Sequence, residues 1–173
     1  HIDNTNPNCN NNGNGNPTTP RCNIPTNLPA GSVVEMRGGP YTSGTSISIT
    51  ATGTELQPVF IKGPATGQKP IIAAAVSISG SSYLILENID LIGGTIDLFT
   101  PNDHVVVRHN KIHSHSTLIA IKDGGSGLNL DSVIFDNEIY PYESNTYNNF
   151  FDQDHQGVIV SAKSQRTWTL DNE

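Results

Sequence analysis

Basic residues are scarce in this chain. Nine Lys and Arg stand against sixteen Asp and Glu, the formal net charge is −7, and no segment gathers the basic residues together. Nucleic acid and anionic membranes both need concentrated Lys and Arg, so neither is an expected partner. The same deficit disfavours an unaided polyanionic substrate, unless a cation bridges the two. Long apolar runs are also missing, with nothing near the ~20 residues a membrane span needs. No stretch of about ten residues or more carries helical periodicity, which argues against a helical core. Charged residues make up only 14% of the chain, while Asn, Ser, Thr and Gly are abundant, a composition common on polysaccharide-facing surfaces.

Cysteine is limited to Cys9 and Cys22, which bracket a polar stretch of Asn, Gly, Pro and Thr that has nothing to bury. A disulfide between them closes this loop and stabilises by about 3 kcal/mol through the unfolded state. The rival reading is a metal pair, but no further Cys or nearby His completes a zinc set. The disulfide implies an oxidising, secreted location, and the chain opens on His1-Ile2-Asp3-Asn4 as a processed protein does. The asparagines between Asp3 and Asn16 offer oxygens to a hard cation such as Ca²⁺, yet Asp3 is the one carboxylate among them. The composition favours a stapled cap over residues 1–27 that covers the end of a strand stack.

From Gly31 onward short β-branched runs alternate with Gly, Pro and Thr: Val33–Met36, Ser46–Ile49, Val59–Ile61 and Ala75–Ile78. Gly63–Pro70 reads as a loop and Thr100–Asp103 as a turn. A phrase then recurs, an apolar strand followed by a charged residue and asparagine. Its copies are Leu84–Asn88, Val106–Asn110, Val133–Asn137 and Trp168–Asn172, with asparagines 22, 27 and 35 residues apart. The first spacing fits one turn of a β-solenoid, and the longer two fit turns with inserted loops. Equivalent positions then stack ~4.8 Å apart.

Asn110-Lys111-Ile112-His113 and Asn137-Glu138-Ile139-Tyr140 resemble the asparagine turn of right-handed parallel β-helices of the pectin-lyase type. Leu28–Val34 followed by Gly38-Gly39-Pro40-Tyr41 resembles the approach to the first coil in secreted members of that group. The resemblance implies an all-β, right-handed parallel β-helix over residues 28–173, behind the disulfide-stapled cap. The fold hosts lyases, hydrolases, epimerases, adhesins and phage spikes, so it does not name a reaction.

Counting back two and four from each asparagine gives the inward set Leu86/Leu84, Arg108/Val106, Phe135/Val133 and Leu170/Trp168. The opposite register carries more polar members, so the first is expected, with Arg108 explained by a local slip. Stacked asparagines have a structural role, bonding one another and the turn backbone. Directly before them, Glu87, His109, Asp136 and Asp171 form an expected stripe, followed one position after by Ile89, Lys111, Glu138 and Glu173. Such a stripe suits either Ca²⁺, with Glu87 and Asp136 as ligands, or an acid/base pair. Its plain alternative is a solvated edge whose alternating charges oppose slippage.

The largest insertion, Pro141–Gln156, presents Tyr142, Tyr147, Phe150 and Phe151 among Asn and Asp, and then Asp152-Gln153-Asp154-His155. Tyr142, Tyr147 and Asp152 are candidates for binding sugar rings, and Asp154 and His155 for proton transfer. The alternative is a loop that packs its aromatics on the coil below. Phe151–His155 only loosely resembles the Asp-Pro-His stretch of alginate epimerases, since Gln153 replaces the proline. A second cluster joins His109, His113 and His115 to Lys122 and Asp123. For a uronate lyase, His113, Lys122, His155 and Tyr140 are candidate bases, and Arg108 or a cation is the neutraliser.

The chain stops at Asn172-Glu173, within a repeat whose earlier copies continue. It reads as an incomplete solenoid, either part of a longer β-helix or completed by another molecule. In the second case His1-Ile2-Asp3 supplies the missing strand of a head-to-tail homopolymer. The functional expectation is carbohydrate binding, or polysaccharide processing by β-elimination or hydrolysis. A non-catalytic subunit of an extracellular filament or adhesin is the alternative.

Overall fold

The computed structural model describes residues 1–42, 46–114, 119–122, 126–141, 158–160 and 163–173. Among them are strands and turns and no helix, as short β-branched runs between Gly, Pro and Asn dictate. In chain order these are β1 (Ile2–Asp3), β2 (Asn27–Pro29), β3 (Val33–Arg37), β4 (Ser46–Thr52), β5 (Val59–Lys62) and β6 (Ile71–Ile72). The long β7 (Ala75–Glu87) and β9 (Ile96–Arg108) are followed by the short β8 (Asp90–Ile92) and β10 (Lys111–Ser114) respectively. Then come β11 (Ile119–Lys122), β12 (Asn129–Leu130), β13 (Val133–Phe135), β14 (Glu138–Pro141), β15 (Val158–Val160), β16 (Ser164–Gln165) and β17 (Trp168–Leu170).

The strands form a 13-stranded sheet and a 4-stranded sheet, the latter in the order β14-β10-β8-β6. Every pairing between them is parallel. The chain visits the large sheet, crosses to the small one and returns, so each pass lies beside the one before. The expected turn at Thr100–Asp103 is instead interior to β9, which carries strand pairing through Asn102 and Asp103.

The core is the inward half of each strand. Val59 and Ile61, Val76 and Ile78, Leu84 and Leu86, and Ile96 and Leu98 are all fully buried. Each side chain of this size contributes about 2 kcal/mol by leaving water. Val105 and Val107 are fully buried too, and Ile134 nearly so, which corrects the expected inward set in those passes. The error lies in the first copy of the repeated phrase, where Leu86 pairs with Val107 and Glu87 with Arg108. Asn88 is therefore equivalent to His109, and Ile89 to Asn110, a spacing of 21 rather than 22. A one-residue slip turns every side chain to the other face. Arg108 consequently points outward, and no anomaly remains.

Cys9 and Cys22 form a disulfide, with Cα atoms 5.1 Å apart. The N-terminal segment lies against the first pass: β1 pairs with β3 through Ile2↔Met36 and Asp3↔Arg37. On the other edge of β1, the Asp3 amide donates to the Arg21 carbonyl (2.9 Å) and the Arg21 amide to that of His1 (3.0 Å). Ile2 is buried in the core. Ile2–Asp3 thus has backbone partners within the chain on both of its edges. The asparagine oxygens are similarly engaged. Those of Asn6, Asn10 and Asn16 accept amides of Asn8, Asn12 and Thr18, closing local turns, while Asn4 accepts from Gly39 and Asn11 from Cys22 and Asn23.

Candidate functional site

Two corners bound the stretch of sheet formed by β5, β13, β17 and the C-terminal parts of β7 and β9. At each corner a column of residues takes positive φ. One column is Tyr83, His104, Asp131 and Arg166 (φ 48, 54, 51 and 52°), the other Asn88, His109, Asp136 and Asp171 (φ 58, 56, 49 and 49°). Left-handed backbone in non-glycine residues costs about 1–3 kcal/mol each, and neighbouring groups offset it. Tyr83 stacks on His104, with ring centroids 4.4 Å apart and planes at 9°. Arg166 donates from Nε and Nη2 to the two carboxylate oxygens of Asp131 at 2.6 and 2.7 Å. That contact holds the Asp131 carboxyl below its usual range.

Beside each exposed column runs a buried amide column. Asn110, Asn137 and Asn172 stack so that each Oδ1 accepts the backbone amide one pass earlier, those of Ile89, Asn110 and Asn137 at 3.1 Å in every case. At the other corner the Asn102 Oδ1 accepts the Ser81 amide (3.0 Å), while its Nδ2 donates to Asn129 Oδ1 (2.9 Å). This second column was not foreseen. Its sequence signal was the 27-residue interval from Asn102 to Asn129, equal to that from Asn110 to Asn137.

The corners separate the expected calcium pair. Glu87 belongs to a strand row, where its Oε2 accepts from Arg108 Nε at 2.7 Å. Asp136 belongs to the positive-φ column, with Oδ2 2.8 Å from His109 Nδ1. The stripe is therefore Asn88, His109, Asp136 and Asp171, and Glu87 is not part of it. Among the described residues, Asp103, His104 and Asp131 do bring one ligand atom each within 4.8 Å of one another. Those atoms already serve each other and Arg166, with His104 Nδ1 at 2.8 Å from Asp103 Oδ1. His109 and Asp136 line a cleft of about 260 Å³ together with Lys69, Asn110, Asn137, Glu138 and Glu173. Lys69 Nζ donates to the His109 carbonyl there at 2.7 Å.

The small sheet holds His113. Its register places it opposite Ile92 and Tyr140, and sets Lys111 between Asp90 and Glu138. Asp90, rather than Ile89, thus precedes Lys111 in the row. His113 Nε2 lies 3.1 Å from Asp90 Oδ1, and its side chain is only 16% exposed. Burial pushes the imidazole below its ordinary 6.5, against the pull of the Asp90 and Glu138 charges and with the push of Lys111.

Lys122 lies on the N-terminal stretch of the large sheet, where inward Ile96 and Leu98 leave Asp97 and Phe99 on the opposite face. The register sets Ser79, Phe99 and Lys122 in one row and Ser48, Ser77 and Asp97 in the next. Lys122 Nζ lies 2.7 Å from Asp97 Oδ1 and 5.5 Å from the centre of the Phe99 ring. The Asp97 side chain is 12% exposed and that of Lys122 42%, so the ammonium is presented outward while its partner is held. Asp97 and Phe99 were not singled out in the sequence, because only the pairing of β9 with β11 brings them beside Lys122.

His113 and Lys122, two of the candidate bases, lie on different sheets, and Arg108 is on a third surface with Glu87. Tyr142, Tyr147, Asp152, Asp154 and His155, with His115 and Asp123, lie outside the described residues. No helix among the described residues is long and apolar enough to cross a membrane. Comparisons of the chain with protein-family models, with curated proteins and with solved structures find no match.

Proposed function

We propose that the chain is a secreted, right-handed parallel β-helix of the pectin-lyase type that binds an extended polysaccharide. The binding face is the stretch of large sheet bearing Asp97, Phe99 and Lys122. Support for the fold comes from the parallel passes and the stacked asparagine turns, and support for secretion from the disulfide. The observation that carries the functional reading is the convergence of an outward ammonium, a held carboxylate, an aromatic ring and serine hydroxyls on adjacent passes. Serine hydroxyls bond sugar hydroxyls, an aromatic ring packs against sugar C–H faces, and the remaining protons of Lys122, held by the buried Asp97, suit a uronate carboxylate. In the catalytic form of this proposal the reaction is β-elimination or hydrolysis, with Asp154 and His155 the first residues to test.

Titration calorimetry with uronic-acid and neutral oligosaccharides tests the reading. Because the net negative charge disfavours an unaided polyanion, binding is expected of an oligomer that carries a single uronate among neutral sugars, weakened about tenfold in Lys122→Ala by loss of one charge-assisted contact. No binding across the panel, or binding indifferent to Lys122→Ala and Phe99→Ala, would sink it. Formation of unsaturated uronate products by the wild type, abolished in His155→Ala, would establish the catalytic form.

A further inference from the structure

A third surface, between the two corners, carries two outward rows that run along the stack of passes. The first is apolar: Val33, Phe60, Ile85, Val106, Val133 and Trp168 are cross-strand neighbours in that order. Val33 is 51% exposed and Trp168 45%, and the four between them are half-buried. At ~4.8 Å per pass the row is about 24 Å long. A contiguous apolar strip of this kind on a sheet face marks an interaction surface.

The second row decides the partner. It reads Glu35, Lys62, Glu87 and Arg108 over the first four neighbours, continuing with Phe135 and Leu170. Within the chain Lys62 lies 3.7 Å from Glu35, and Arg108 lies 2.7 Å from Glu87. The signs alternate, negative, positive, negative, positive. Reversed, such a row is its own complement.

We infer that this face binds the same face of a second copy, antiparallel, about a two-fold axis lying along the strands between β5 and β7. That operation keeps each row opposite itself and reverses only the order of passes. Val33, Phe60, Ile85 and Val106 cover the same four residues of the second copy in reverse order, and Val133 and Trp168 lie beyond this overlap. Glu35 faces Arg108 of the partner subunit, and Lys62 faces Glu87 of the partner subunit. A two-fold axis parallel to the stack would instead lay the charged row over the apolar one, desolvating charges without partners. A two-fold contact is isologous and closes on itself, so the product is a dimer rather than a filament. The strip is narrow for a stable interface, so the dimer forms in a concentration-dependent way.

Sedimentation over a wide range of protein concentration tests this on the full chain. The wild type is expected to pass from monomer to dimer as concentration rises. Glu87→Lys and Lys62→Glu, each alone, set like charges opposite each other twice across the axis and are expected to remain monomeric. Mixed together, the two variants regain opposite charges at both contacts and are expected to form a heterodimer. Ile85→Lys, on the half-buried apolar row, is a second route to the monomer should Glu87→Lys fail to fold. A wild type that stays monomeric at every concentration overturns the inference and leaves the face to a different partner. A wild-type dimer unaffected by Ile85→Lys, or well-folded charge variants that do not associate when mixed, overturns the antiparallel arrangement.

Discussion

The two corners of this molecule solve the same problem with different residues. Each must turn a strand sharply on every pass and satisfy the backbone groups that the turn removes from the ladder. At the corner after Arg108, three amides stack in one column, and Asn137 in its middle makes bonds on both sides. It accepts from the Asn110 backbone and side chain (3.1 Å each) and donates to Val107 (3.0 Å), Phe135 (3.2 Å) and Asn172 (2.9 Å). At the corner before Val105 the amide column is two residues long, and serine takes over at Ser81, whose hydroxyl accepts the Ala51 amide at 3.1 Å. Outside both amide columns run the positive-φ columns, which are more exposed. The comparison teaches that the buried column, with its bonds on both sides, carries more of the stability than the surface column.

The largest test of that division is Asn137→Ala. Removing the central amide strands several buried partners at once, and the expected loss is about 4 kcal/mol in denaturant unfolding. Asn102→Ala at the other corner leaves the Ser81 amide and the Asn129 oxygen unpaired, and about 3 kcal/mol is expected. A result of opposite rank would show that the shorter column is the more critical. Ser81→Ala loses one acceptor for the Ala51 amide, an expected cost of about 1 kcal/mol.

Two smaller effects sharpen the contrast away from the amides. His113 is held below its ordinary 6.5 in the folded chain, so the unfolded chain binds a proton first as pH falls. The stability from neutral His113 is therefore complete above about 6.5 and declines as pH drops toward the folded value. His113→Asn should flatten this part of the stability–pH curve, and an unchanged slope would assign it to other groups. Arg166→Ala, in the exposed column, should leave the unfolding midpoint where it is, because exposed ion pairs contribute little.

Legibility followed how often a residue recurred in phase. The asparagine turn was readable because a strand, a charge and an amide repeat together at Asn110, Asn137 and Asn172. The first copy misled because asparagine suits two different places. Asn88 takes the left-handed backbone position, which asparagine tolerates better than most residues, while the buried position falls to Ile89. The corner at Asn102 was hidden because Pro101-Asn102-Asp103 has the composition of an ordinary turn and its column contains only two amides. Of the candidate site, Lys122 and His113 could be named from the sequence, but their partners Asp97 and Asp90 could not. Asp97 sits between Ile96 and Leu98 like any outward residue of a strand, and only the neighbouring pass gives it a partner.

The sequence by itself determined the all-β character, the positions of most strands, the stacked asparagine turn and the pairing open to its two cysteines. These depend on local properties: β-branched runs, turn residues, and a repeat within one chain. Tertiary structure alone decided the phase of each pass, and with it which residues face the core. Side chains alternate along a strand with a period of two, so phase is an all-or-none property that one displaced asparagine can invert. The placement of Asp97 beside Lys122, and the alternating row from Glu35 to Arg108, exist only once neighbouring passes are set in register.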